Sequence, residues 1–117
     1  MIIGIGTRKG ITKEEVIEAV KHALDECGLD LNEITALASA KLKENESGLL
    51  EAGEILGIPL DFLPDDVLNS YNPPSSSSAS RFGLKGVAEP AALALSEGKQ
   101  LICRKKIYGR VTIAIAR

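Results

Sequence analysis

The chain is short of most things that announce a function. It has one histidine, two cysteines, no tryptophan, no dominant charge and no long hydrophobic run. Fourteen lysines and arginines against sixteen aspartates and glutamates leave a formal net charge of -2, so no global field draws the protein to nucleic acid or to an anionic membrane. Any anion binding must be local. The cysteines, Cys27 and Cys103, form neither a CxxC pair nor a metal-ligand spacing, and are read as reduced thiols of a cytoplasmic protein. The apolar opening "MIIGIG" is followed at once by Arg8 and Lys9, and is too short for a signal peptide or a membrane span. The lone His22 falls within a helical stretch, on its expected solvent side, so no Ser/His/Asp arrangement can be assembled. No internal repeat is visible, and 117 residues of which 44% are apolar suit a single domain over 1–117.

What is present is an alternation of strand and helix signals. Residues 1–6 form an apolar run of strand length, after which Val16, Val20, Leu24 and Cys27 share one helical face. Thr12 and Glu15 have the spacing of a capping box at that helix's start, and Gly28 suits the position just past its end. "ITALASA" (34–40) predicts a second strand, followed by a helix from about Asn45 to Leu56 closed by Gly57 and Pro59. "PLDFL" predicts a third strand and "PDDVLNS" a short helix with acids in its first turn. "YNPPSSSSAS" (71–80) is too polar to pack and reads as a surface loop. A helix then resumes near Gly86, with Pro90 in its first turn, and ends at Gly98. The tail carries two β-rich runs around Tyr108 and Gly109, which must pair antiparallel. The expected architecture is a three-layer α/β/α sandwich on a mainly parallel sheet of about five strands, with a C-terminal antiparallel hairpin.

The turn between the first strand and the first helix, "GIGTRKGIT", is glycine-rich and so invites comparison with nucleotide-binding loops. Its glycines follow GxGxxxG, not the GxGxxG of dinucleotide sites, and the second strand ends in Ser39, Lys41 and Lys43 where an acid is needed for the ribose. The phosphate-loop pattern also fails, because Gly10 is followed by Ile11 and Thr12. No nucleotide or other cofactor is expected. The turn can be read as a tight bend with solvated cations. Alternatively, Gly6, Thr7, Arg8, Lys9 and Gly10, together with Ser39, form a carboxylate pocket in which Arg8 grips through two hydrogen bonds. Position favours the second reading, since ligands of open α/β sheets collect beyond the carboxyl ends of the strands.

Three other residues carry reactive chemistry. "KLKENESG" leaves the second strand at the same sheet edge, where Lys43 can polarise an oxygen and Glu46 can activate water; the alternative is a charged, solvated loop. Glu89 is the one acid of "VAEPAALAL", and either compensates a helix dipole or acts as a general acid or base. Ser75 and Ser76 can donate hydrogen bonds to a ligand or belong to a plain connector.

Taken in order, "GIGTRKG", "LASAKLKENESGLLEAGEILGIPL", "GLKGVAEPAALAL" and "VTIAIAR" resemble the cobalamin-biosynthesis family of CobE and the C-terminal domain of CbiG, across nearly the whole chain. The resemblance implies a compact α/β domain with ligand loops at one sheet edge. It implies a precorrin as ligand, and for CbiG the opening of a lactone on cobalt-precorrin-5A with release of acetaldehyde. Lys43, Glu46 and Glu89 are then the catalytic candidates, and the acetate and propionate arms of the macrocycle are what Arg8 and Lys9 would hold. The sequence departs from the family in two respects. A cysteine is common where Thr7 stands, and CbiG carries additional N-terminal sequence. That second departure implies a separate partner, either a CbiG N-terminal-type protein or another corrin-pathway enzyme. It also admits an alternative, a non-catalytic precorrin-binding or docking module.

Overall fold

The computed structural model describes residues 1–71 and 87–117; Ser75, Ser76 and the rest of the serine-rich segment lie outside the described residues. Five strands, β1 (Ile2–Thr7), β2 (Ala36–Ala40), β3 (Leu60–Leu63), β4 (Leu101–Tyr108) and β5 (Val111–Ala116), form one sheet in the order β3-β2-β1-β5-β4. Among the described residues four α-helices accompany them: α1 (Lys13–Cys27), α2 (Ser47–Leu56), α3 (Asp65–Asn69) and α4 (Ala88–Leu95). β1 is central, as the opening apolar run suggests. The expectation of a mainly parallel sheet holds for half of the strand pairs, and that of a C-terminal antiparallel hairpin holds in full. β1 pairs parallel with β2 and β2 with β3, whereas β1–β5 and β5–β4 are antiparallel. The tight connection obliges β4 and β5 to run oppositely. β5 inserts beside β1 and runs antiparallel to it as well.

The pleat divides the strands between two cores. Ile3 and Ile5 of β1, Leu37 of β2 and Val111, Ile113 and Ile115 of β5 point to one side, where Val16, Val20 and Leu24 of α1 and Leu49 and Ala52 of α2 cover them. Burying a side chain of this size removes about 1.5–3 kcal/mol of unfavourable apolar hydration. On the other face Ile2, Ala38, Ala40 and Ala116 meet Ala91 and Ala92 of α4 and Leu68 of α3. This second layer is built from small residues because α4 lies almost on the sheet: a Cβ placed on Gly4 would land on the carbonyl oxygen of Ala88. A side chain at position 4 would therefore have to push α4 off the central strand.

The ends of α1 are held as their residues predict. Thr12 accepts the Glu15 amide, the Glu15 carboxylate accepts the Thr12 amide, and Gly28 turns the chain with φ 66°. Near its C-terminus the helix is tied to the edge strand β4. Lys106 Nζ donates to Glu26 at 2.8 Å, and Lys106 first, then the Tyr108 hydroxyl, lower the Glu26 carboxyl below its usual range. Burial, with the Glu26 carboxylate beside it, pushes the Tyr108 phenol up to about 12. At the same place Cys27 and Cys103 form a disulfide. This corrects the reading of both as reduced thiols. The two cysteines are 76 positions apart, and only the packing of α1 across β4 brings them together. His22 is exposed on α1, with its ring 6.1 Å from that of Tyr108.

α4 ends three residues earlier than Gly98 suggests. Ser96 leaves the helix in extended conformation, and Lys99 Nζ donates to the carbonyls of Leu93 and Ala94, which satisfies part of the helix end. Pro90 stands in the first turn, where a missing amide hydrogen costs nothing. Among the described residues no helix is long and apolar enough to cross a membrane.

Candidate carboxylate-binding edge

β1, β2 and β3 run in the same direction, so Thr7, Ala40 and Leu63 end at one edge of the sheet. β5 begins there, with Val111 opposite Thr7, and the Gly109–Arg110 turn is thereby placed beside the opening turn. The two turns are bonded to each other. The Arg8 amide donates to the carbonyl of Arg110 at 3.2 Å. The Arg110 guanidinium donates to both oxygens of Glu15, at 2.8 and 2.7 Å, and reaches the Gly10 carbonyl at 3.4 Å. Sequence reasoning finds Glu15 through its capping box but misses Arg110, which lies 95 positions away and is a lone arginine in a hairpin turn.

From the opposite side comes α2. The Gly10 amide donates to the Glu46 carboxylate at 3.0 and 3.3 Å. The approach depends on Gly48, since a Cβ there would meet the carbonyl of Ile11. Hence the amides of Arg8, Gly10 and Thr12 are all taken by the chain's own oxygens. The opening turn is not an open nest of free amides. The side chains of Arg8 and Lys9, both exposed, stand ready for a ligand.

The remaining sequence candidates are distributed around this turn. Lys43 ends a single 3₁₀ turn after β2 and is half-buried; its carbonyl accepts the Glu46 amide at 3.0 Å, so Lys43 and Glu46 belong to one compact bend. Ser39 is fully buried and donates to the carbonyl of Ile5 at 2.7 Å, beyond the last paired residues of β1 and β2. Gly6 lies within β1, opposite Thr112, and faces Val87 just before α4. Thr7 alternates to the face of Ile3 and Ile5, and its hydroxyl oxygen is buried without a hydrogen-bond partner among the described residues. Glu89 is only 1% exposed and accepts the Lys105 amide at 3.0 Å, at an irregularity in β4. β4 is three strands from β2, so the contact that Glu89 makes lies roughly 14 Å across the sheet from the strand that leads to Lys43. The fold thus gathers Arg8, Lys9, Gly10, Lys43 and Glu46, and sets the Glu89 carboxylate apart. Among the described residues no group of three His, Cys, Asp or Glu side chains could hold a metal ion.

Comparison with known proteins decides the family. The model of the family described as Cobalamin synthesis G C-terminus matches residues 1–116. The chain belongs to this family. It is 32% identical over 118 residues to a cobalt-precorrin-5A hydrolase of Priestia megaterium, a match that covers 99% of this chain and 32% of that protein. It is 28% identical over 122 residues to Protein CobE of a Sinorhizobium species, with 99% of this chain and 79% of that protein covered. The crystal structure of CobE, a protein from the cobalamin (vitamin B12) biosynthetic pathway, superposes with a TM-score of 0.88 at 36% identity, over 97% of this chain and 86% of that one. The chain is therefore homologous to cobalt-precorrin-5A hydrolase while spanning only about a third of that relative's length.

In this member of the family two local features invite measurement. The Arg110 guanidinium first, and then the Thr12 amide, hold the Glu15 carboxyl down at about 2 from its ordinary 4.5. A lowered carboxylate pKa stabilises the fold above the unfolded value and loses that contribution as pH falls. Unfolding free energy should therefore drop between pH 4.5 and about 2 more steeply in the wild type than in Glu15→Gln. Denaturant titrations across that window check this, and parallel slopes would contradict it. A buried hydroxyl without a partner costs about 1–3 kcal/mol. Thr7→Val, which keeps the side-chain shape, should accordingly raise stability by about 1 kcal/mol; a loss of similar size would show that the hydroxyl has a partner in solution.

Proposed function

We propose that the chain acts in the cytoplasmic steps of cobalamin biosynthesis on a precorrin, binding its carboxylate arms at the edge formed by the opening turn. The observation that carries the reading is the pinning of that turn by Glu46 and Arg110, which leaves Arg8 and Lys9 exposed and joins the turn, through Glu46, to the bend that carries Lys43. A guanidinium and an ammonium side by side suit a ligand with several carboxylates, and a planar arginine fork matches one carboxylate through two bonds. The protein as a whole carries no excess positive charge, so the selectivity is that of a local site.

By family likeness the reaction is the opening of the cobalt-precorrin-5A lactone. In the proposed arrangement Glu46 takes a proton from water as it adds to the lactone carbonyl, and Lys43 stabilises the oxyanion that develops. The ring C–O bond then breaks, the proton passes to the departing alkoxide, and the two-carbon fragment is subsequently lost as acetaldehyde. Glu89 has its carboxylate on the far side of the sheet, bonded to the Lys105 amide, and is the weaker candidate for base.

A second reading, that of a precorrin-binding module serving a separate CbiG N-terminal-type protein or another corrin-pathway enzyme, draws on a specific observation. Both carboxylates that could act as base already accept backbone amides. Cobalt-precorrin-5A mixed with the chain separates the two. A spectral change with acetaldehyde release supports the hydrolase, a spectral change alone supports the module, and no change removes both. Within the hydrolase reading, Arg8→Ala should weaken binding about tenfold with folding intact. Glu46→Gln, whose amide oxygen can still accept the Gly10 amide, should lower turnover with binding kept. Equal losses of binding in both variants would contradict a catalytic Glu46.

A further inference from the structure

We propose that Arg110 is a positioning residue for this site: through Glu15 and the two peptide groups that flank Arg8 and Lys9, it sets the backbone from which those cations project. The inference rests on the precorrin reading for its ligand but on the structure for its geometry. An exposed ion pair ordinarily contributes little, because solvent screens it and two long side chains must be ordered. The Arg110 pair is of another kind. Both Glu15 oxygens are engaged, at 2.8 and 2.7 Å, and the same Glu15 oxygen that meets the guanidinium also accepts the Thr12 amide and hydroxyl at 2.9 Å. The carboxylate is thus held by α1's own cap before arginine reaches it, and less side-chain freedom is lost on pairing.

Arg110 also touches the turn at both ends. Its carbonyl accepts the Arg8 amide, and its guanidinium reaches the Gly10 carbonyl. Lys9 sits between these two contacts. Glu46 closes the other side by accepting the Gly10 amide. The Arg8 amide and the Gly10 carbonyl are thus held by the β4–β5 hairpin, the Gly10 amide by the residue that caps α2, and the Thr12 amide just beyond by Glu15 in the first turn of α1. A bend held by only one of these could swing its cations by several ångströms, and a displacement of about 1 Å at a positioned group is enough to cost much of its effect. The hairpin that adds the antiparallel half of the sheet thereby has a second task at the sheet's carboxyl edge.

Positioning and charge are separable by comparing Arg110→Ala with Arg110→Lys. Lysine keeps the positive charge but cannot reproduce the fork to Glu15 together with a bond to Gly10. Amide exchange at Arg8 and Gly10, read by NMR at a temperature where both variants are folded, should rise about tenfold or more in each of them, while amides of β2 keep wild-type rates. Affinity for cobyrinic acid, a corrin carrying free acetate and propionate arms, should fall about tenfold in both variants alike. If Arg110→Lys keeps wild-type exchange or wild-type affinity, Arg110 acts only by charge and the proposal is overturned. If the wild type itself does not bind cobyrinic acid while the exchange result holds, the precorrin reading fails and the corrin role of the clip with it, whereas Arg110 remains the residue that sets the turn.

Discussion

A single bend of chain, residues 8–10, is grasped at its peptide groups by an acid from one helix and an arginine from a hairpin. Glu46 takes the amide of Gly10; Arg110 gives its carbonyl to Arg8 and its guanidinium to Glu15 and Gly10. The rest of the fold makes these grips possible. Gly48 lets α2 come against Ile11, the central position of β1 carries the bend to the middle of the sheet edge, and β5 delivers Arg110 to the same height through its register with β1. A glycine-rich turn alone would be a flexible connector. Clamped on both flanks, it becomes a fixed mount for two exposed cations.

The clamp changes the chemistry of the edge. Backbone amides at the end of a strand and the start of a helix are natural anion donors, yet here the chain's own carboxylates take those of Gly10 and Thr12 and a carbonyl takes that of Arg8. Recognition is shifted from main chain to side chain, which suits a ligand with several separated carboxylates better than a compact phosphate. This agrees with the failure of the nucleotide patterns and with membership in a cobalamin-synthesis family. It also distinguishes the two acids considered for catalysis: Glu46 is bonded to the bend at Gly10, whereas Glu89 is buried against β4, on the far side of the central strands.

Much of the fold could be read from sequence because its signals are local. The capping box of Thr12 and Glu15 spans three positions, Gly28 and Gly57 stop their helices, and the short link at Gly109 imposes an antiparallel pair. Interactions between distant segments were not legible. Whether β5 would join the sheet at its edge or beside β1 depends on contacts across more than a hundred positions, and this choice turned an expected mainly parallel sheet into an evenly mixed one. The Cys27–Cys103 bond and the Arg110–Glu15 fork escaped for the same reason. Ser39 looked available because a serine at a strand end often is, but its hydroxyl completes the bonding of Ile5 where β1 and β2 separate. The neighbourhood of Lys43 and Glu46 was legible, since the strand directions alone bring their bend to the opening turn.

The account stands on the claim that a corrin polycarboxylate docks against this bend and not elsewhere on the molecule. Amide chemical shifts of the whole chain, followed by NMR while cobyrinic acid is added, test it most directly. Shifts concentrated at residues 7–10, 41–46 and 109–111 are the predicted result. Shifts confined to α1's C-terminal half and the outer strand β4, with the bend silent, would contradict it.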